Sequence, residues 1–385
     1  MVEFSTAKVS TGPGVGPAGR VPMFELVTQY QPLRAEIEQA IHQVLETTEY
    51  IGGSALKRFE ENLGRYTQAH AIAVSSGTDA ILATLMALNI GRGDEVITTP
   101  FTFFATAGCI SRVGAVPVFV DIDPASFLMD ISSVGAAMTS ATRAILPVHL
   151  FGQMCDMAAL AGLASGGRIS IVEDAAQSIG SRDPNGNQGA QLGRAACLSF
   201  YPTKNLGAAG DAGAILTRDA AFAARLAQTR QHGETTRYHH AFVGGNFRLD
   251  GIQCAVLDVK LKYVDRWNNR RREIAAIYDA RFAGTDVQPP VALPGGHHVY
   301  HQYVVRAPRR DALRDHLTKF GIGCAIYYPL PLHLQECFAH LGYKPGAFPH
   351  AEKACLDVMA LPVFPELTDA QVHQVADAVL AFYRG

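Results

Sequence analysis

The chain has 385 residues, 48% hydrophobic and 18% charged, a balance that suits a globular protein with a sizeable core and excludes a disordered or fibrous one. A formal net charge of -2 excludes the concentrated basic surface that bulk nucleic-acid binding needs, yet a few local donors could still hold a small anion. Seven scattered cysteines lack zinc-type spacing and no apolar run reaches membrane-span length, so the expectation is a cytoplasmic protein without metal or membrane partner.

The first twenty residues, rich in Gly, Ser, Thr and Pro, read as a flexible tail without the apolar centre of a signal peptide. From residue 70 to about 230, apolar runs alternate with helix-length stretches such as Asp79–Leu88 and Ala105–Val113. The runs are 71–75, 95–99, 117–122, 144–150, 169–174, 196–200 and 214–217. This alternation predicts an α/β domain over 21–250, with a largely parallel or mixed sheet covered on both faces. Ligands of such sheets bind at the carboxyl ends of the strands. Ser75–Thr78, Thr99–Phe103, Asp174–Gln177 and Ser199–Lys204 stand there. An amphipathic pattern over 251–283 predicts a connecting helix. Residues 284–385 predict a smaller α+β domain with strands at HQYVVRA and CAIYY, a helix over 311–320 and two C-terminal helices.

Lys204 follows a strand end and precedes a run of small residues that lets backbone approach a ligand closely. Alone it reads as a surface lysine; buried beside a cofactor, its amine sheds its proton more readily and attacks carbonyls. Ser199 is either a turn former or a phosphate donor. Asp174 ends a strand with Gln177 three residues on, as a helix cap would, or as a carboxylate that keeps a pyridine nitrogen protonated. Gly77 and Thr78 offer N–H groups and a hydroxyl at a helix start, a natural phosphate site. Phe103 is a candidate to stack on a flat ring, against the commoner role of core packing.

In order, these segments resemble the sugar aminotransferase family named for DegT, DnrJ, EryC1 and StrS, within the fold-type I pyridoxal-phosphate enzymes. The resemblance runs from about Val21 to the C-terminus. It includes YIGGSALKRFEENLGRY, GDEVITTPFTF, AVPVFVDIDP, LPVHLFGQMCDM, VEDAAQSIG, SFYPTKNLGAAGDAG, RQHGETTRYHH, GGNFRLDGIQCAVL and IYYPLPLHLQECF. It implies a large domain with a mixed, mostly parallel seven-stranded sheet and a smaller C-terminal α+β domain. It also implies that Lys204 binds pyridoxal 5′-phosphate covalently and moves the proton as the cofactor passes through pyridoxamine 5′-phosphate. Asp174 would pair with the pyridine nitrogen, Gln177 would contact the ring hydroxyl and Phe103 would stack on the ring. Gly77, Thr78 and Ser199 would hold the phosphate, completed by Asn246 from the partner subunit of a homodimer. Tyr328 and His333 match positions near the sugar-nucleotide end of the pocket, with His149, Arg237 and His239 as further substrate candidates.

Relatives in which histidine replaces the lysine are dehydratases or deoxygenating enzymes, so Lys204 implies transamination. L-Glutamate would be the donor and a keto sugar on a nucleoside diphosphate the acceptor. SFYPTKNLG looks more like the members that aminate C3 than the C4 group, which tends to read SFHPVK. The expectation is a dTDP- or UDP-linked 3-keto sugar whose product feeds lipopolysaccharide O-antigen, another glycan or a natural product. The alternatives are a C4 keto sugar or keto-cyclitol, a lyase or desulfurase, and a non-catalytic regulatory relative. The sequence departs from the pattern at Ala212, where glycine is common, and at Gly251, where an acidic or small helix former is usual. Gly251 should weaken its helix by a fraction of about 1 kcal/mol relative to alanine.

Overall fold

The computed structural model describes residues 19–384, and the expected tail at 1–20 lies outside the described residues apart from Gly19 and Arg20. The seven apolar runs form one sheet: β1 (His70–Val74), β2 (Glu95–Thr98), β3 (Val116–Phe119), β4 (Thr142–Ile145), β5 (Ser170–Asp174), β6 (Ala195–Ser199) and β7 (Gly213–Thr217). The spatial order is β1-β7-β6-β5-β4-β2-β3. Neighbours among β2–β6 run parallel. β7 is antiparallel to both β6 and β1, which leaves β1 parallel to β6. The carboxyl ends of β1, β2, β4, β5 and β6 therefore share one edge.

Both faces of the sheet are buried, so the strands read as near-continuous apolar runs. Ile72, Val74, Cys197 and Ile215 face one helical layer, against Leu82 and Leu85 of helix Gly77–Ala87 and Ile110 of helix Ala105–Arg112. The alternate residues Ala73, Ala196, Leu198, Ala214 and Leu216 face the other. There they meet Phe59 and Leu63 of helix Gly53–Thr67 and Leu257 of helix Gly251–Leu261. A short antiparallel hairpin, β8 (Glu234–Thr236) and β9 (His239–His240), follows helix Ala220–Thr229.

The pattern over 251–283 is two helices rather than one, Gly251–Leu261 and Val264–Phe282, parting at Lys262 and Tyr263. The break lets each serve a different core. Cys254 and Leu257 pack under the large sheet, whereas Ile274, Tyr278 and Phe282 join a second cluster with Tyr303, Val305, Leu317 and Val379. Val21, expected to open the large domain, is fully buried in that second cluster instead. It is pinned by Val21 N donating to Gly321 O (3.0 Å) and Gly323 N donating to Val21 O (2.8 Å).

Of the two strands expected in the C-terminal region, one forms as β10 (Tyr303–Arg306). CAIYY contributes only a bridge from Ala325 to Ala360, and the antiparallel partner of β10 is β11 (Val358–Leu361). VMAL follows helix Pro349–Asp357 without an intervening turn residue, so periodicity merges it with that helix. The ribbon is apolar on both faces: Val304, Val358 and Ala360 pack with Phe119 and Ile145 of the large sheet, and Tyr303, Val305, Met359 and Leu361 pack in the second cluster. All seven cysteines are free, five of them buried. Among the described residues no helix is long and apolar enough to cross a membrane, and no cluster of His, Cys, Asp and Glu could hold a metal.

Candidate active site

The shared carboxyl edge gathers the residues singled out from the sequence. At the end of β1, the Ser76 side chain accepts from Asp79 N (3.0 Å) and starts helix Gly77–Ala87. The first N–H groups of a helix have no partner within it and point outward, with the dipole behind them. Gly77 is buried against the end of β6: a Cβ there would sit 2.6 Å from Ser199 Cβ. Gly213 is tighter still, since a Cβ would lie 2.4 Å from Ser76 O. Gly77, half-buried Thr78 and Ser199 are thereby brought onto one small ledge of donors.

Asp174 closes β5, with 5% of its surface exposed. Its Oδ2 accepts from the Thr106 hydroxyl (2.7 Å) and its Oδ1 from Ala176 N (3.2 Å). Thr106 spends its hydrogen on Asp174, so the Thr102 hydroxyl 3.0 Å away must donate to Thr106. Among the described residues no Lys, Arg or His stands within ion-pair distance of Asp174. Burial holds its carboxyl above the ordinary range, partly offset by the Thr106 hydrogen bond and the charge of Lys204. Lys204 leaves the end of β6 in a tight loop, with its N–H donating to Tyr201 O (2.8 Å). Desolvation lowers its amine to about 8, and Asp174 pulls the other way. A carboxylate short of a cation beside a lysine poised to lose its proton suits a ligand that brings a protonated pyridine ring and a carbonyl.

Gln177 Oε1 accepts from Phe151 N (2.6 Å) and its Nε2 donates to the Tyr328 hydroxyl (3.3 Å). The Tyr328 ring lies 6.4 Å from that of Phe103, which is 58% exposed over the crevice edge rather than packed in the core. Asn246 is exposed and lines a cleft of about 370 Å³ with Ser75, Asp211, Arg248 and Gln253. Arg248 was not nominated from the sequence. Among the described residues its buried Nε has no hydrogen-bond partner and its guanidinium has no carboxylate within ion-pair distance.

Of the substrate candidates, His149 lies beside Asp174, its backbone N–H donating to Asp174 O (3.0 Å), but its side chain is withdrawn from the crevice. His149 is fully buried, with Nε2 on Glu173 Oε2 (2.8 Å) and Nδ1 accepting from Cys155 N (3.3 Å). Both nitrogens are committed and no surface remains for a substrate, which corrects the expectation for His149. Arg237 and His239 stand on the exposed β8–β9 hairpin, where among the described residues the Arg237 guanidinium bonds only its neighbour Tyr238 (3.4 Å). His333 is 2% exposed, with Nε2 on Glu352 Oε1 (3.1 Å) and Nδ1 without a hydrogen-bond partner among the described residues. Thr106 also escaped the sequence reading, because nothing local ties it to a carboxylate at residue 174.

The fold and this donor set define a pyridoxal-phosphate enzyme of the aminotransferase type. The family model of the DegT/DnrJ/EryC1/StrS aminotransferases matches residues 31–380, and the chain belongs to that family. It is 48% identical to the "Pleiotropic regulatory protein" of Geobacillus stearothermophilus, the match spanning 94% of this chain and 99% of that one. It is 41% identical to the UDP-N-acetyl-3-dehydro-alpha-D-glucosamine 3-aminotransferase of Acidithiobacillus ferrooxidans, over 93% and 97% of the two chains. The crystal structure of S. venezuelae DesV in complex with a ketimine intermediate superposes with a TM-score of 0.92 at 41% identity, covering 95% of this chain and 99% of that one. Membership makes the protein a pyridoxal-phosphate-dependent aminotransferase.

Proposed function

We propose that the protein transfers the amino group of L-glutamate to a keto sugar carried by a nucleoside diphosphate, with C3 of a dTDP- or UDP-linked hexose favoured over C4. The observation that carries the chemistry is that Asp174, buried with no cation in ion-pair distance among the described residues, lies close enough to feel Lys204, whose desolvated amine is lowered to about 8. When bound, pyridoxal 5′-phosphate supplies an electron sink for a C–H bond beside nitrogen. Asp174 would hold the ring nitrogen, Gln177 the ring hydroxyl, Phe103 a ring face, and Gly77, Thr78 and Ser199 the phosphate. Lys204 Nζ would anchor the cofactor and carry the proton between the two carbons that exchange it. Arg248 would receive an anionic group of donor or acceptor and Tyr328 would border the sugar, while His333, its side chain buried against Tyr343 and Phe348, would act only through the wall behind it.

The family resemblance and the exposed surface support a homodimer. Phe103, Tyr201 and Tyr238 lie open in one chain at 58%, 53% and 77%. A second copy would cover them and bring Asn246, Arg237 and His239 toward the neighbouring crevice. The substrate assignment draws support from the 3-aminotransferase named among the relatives, and its product would be an amino sugar for O-antigen or another glycan, made in the cytoplasm. The regulatory name of the Geobacillus relative does not displace this reading, because Lys204 and Asp174 are both present.

The test is the visible spectrum of cofactor-loaded protein before and after L-glutamate, beside Lys204→Ala. Wild type should change on adding glutamate, retain covalent cofactor after borohydride and aminate a 3-keto sugar nucleotide in a ketone panel. The variant should retain none and lose activity by about a thousandfold or more. Release of pyruvate or ammonia with no aminated sugar would overturn the proposal.

A further inference from the structure

Directly after Lys204 stands Asn205, 3% exposed and with every polar atom of its side chain engaged. Its Nδ2 donates to Asn268 Oδ1 (2.7 Å) and to Val299 O (3.1 Å), and its Oδ1 faces His301 Nδ1 at 3.0 Å. Both hydrogens of the amide are spent, so His301 must present the N–H, which fixes its proton on Nδ1. Asn268, 2% exposed on helix Val264–Phe282, passes its own Nδ2 to Ile179 O (3.0 Å). Ile179 is two residues beyond Gln177 and five beyond Asp174. The close approach depends on Gly180 (φ +84), where a Cβ would lie 2.6 Å from Asn268 Nδ2. From the other side Arg271 Nη1 donates to Tyr300 O (3.2 Å), His301 O (3.2 Å) and Val363 O (2.7 Å), holding the segment that carries His301.

Three buried polar side chains therefore join the loop of Lys204, the segment of Asp174 and Gln177, the long helix and the segment 298–301 at one point. A buried network in which both asparagine amides and His301 Nδ1 are engaged favours one arrangement, whereas an apolar contact of the same size would tolerate sliding. Neither the cofactor contacts nor the proton transfer uses any of these groups. We propose that Asn205, Asn268 and His301 are positioning residues that fix Lys204 relative to Asp174, the juxtaposition that the transfer needs. This rests on Lys204 being the cofactor-binding lysine.

The test compares wild-type enzyme with Asn205→Ala, Asn268→Ala, their double variant, His301→Leu and His301→Asn. Three quantities are read: the rate at which cofactor becomes borohydride-fixed at Lys204, located by peptide mass spectrometry; kcat against KM with glutamate; and the melting temperature. The phosphate donors are untouched, so the dissociation constant for pyridoxal phosphate should stay within about threefold. Fixation rate and kcat per folded site should fall at least about tenfold with KM within about threefold, and the double variant should fall no further than the worse single one. His301→Asn, whose amide nitrogen takes the place of Nδ1, should recover to within about threefold where His301→Leu does not, and serves if the alanine variants fail to fold. Lower melting temperatures with unchanged fixation rate and kcat would overturn the proposal, as would single effects that multiply in the double variant. Absence of cofactor fixed at Lys204 in the wild type would bring down the assignment of that lysine as well; fixation in the wild type with unaffected variants brings down the network alone.

Discussion

A lysine becomes a nucleophile near neutral pH only when its surroundings penalise the ammonium form, and Lys204 meets that condition by losing water rather than by gaining a positive neighbour. The direction has a measurable consequence. With the amine near 8, the neutral fraction of Lys204 in the apo-protein rises with pH and saturates above that value, instead of climbing on until the 10.5 of an ordinary lysine is passed. The rate of cofactor uptake at Lys204 should climb about tenfold per pH unit below 8 and level off above it, read by stopped-flow absorbance. A rate still climbing at pH 10 would contradict the desolvated site. Gly77 carries a second consequence at this scale. Alanine there would drive its Cβ into Ser199, so Gly77→Ala should weaken cofactor binding by at least about tenfold while the helix behind it remains folded. Equilibrium dialysis against pyridoxal phosphate, with circular dichroism alongside, checks both halves. Lys204, Asp174, Gln177, Gly77 and Ser199 could be nominated because each lies at or within a few residues of the carboxyl end of a strand in an alternating α/β pattern. Arg248 and Thr106 were not, since their importance comes from neighbours brought close only by folding. Asn205, Asn268 and His301 lie scores of residues apart and share no local motif.

At the scale of elements, the seven strands were readable to within a few residues because buried parallel strands leave continuous apolar runs between turn residues. The C-terminal ribbon was not. Its second strand, β11, directly continues a helix, and a two-sided apolar tetrapeptide has no period to distinguish it. The 251–283 pattern misled for the opposite reason: one amphipathic stripe can be shared by two helices that change direction between cores. Gly251 looked like a mild defect of helix propensity. In the structure its Cα approaches Glu49 O so closely that a Cβ would lie 2.7 Å from that oxygen, while its N–H donates to Tyr50 O (2.7 Å). Gly251→Ala should therefore destabilise the protein by about 1–3 kcal/mol through overpacking, against the gain of up to about 1 kcal/mol that propensity alone predicts. The midpoint of urea unfolding decides the sign.

At the scale of the whole molecule, the β10–β11 ribbon belongs to two cores at once, and Arg271 clamps the segments that lead into and out of it by three carbonyl oxygens. Arg271→Leu would leave those carbonyls buried without a donor, at a cost of about 1–3 kcal/mol each before relaxation. We expect a loss of at least about 3 kcal/mol by denaturant unfolding, with the loosening seen first as faster amide exchange at residues 299–306. If exchange quickens uniformly instead, the clamp is not local to the ribbon.

Val21 is among the first described residues to be synthesised, yet the groups that enclose it, among them Tyr303, Ile322, Met359 and Val375, are among the last. The seven-stranded sheet is complete once Thr217 has been made, about a hundred residues before Gly321 and Gly323, the backbone partners of Val21. On the ribosome the first segment must therefore wait, and the second core closes only once residues up to Leu380 have emerged. A nascent chain stalled near residue 300 should carry a protease-resistant sheet and a cleavable amino end, and one carried through to Arg384 should protect both.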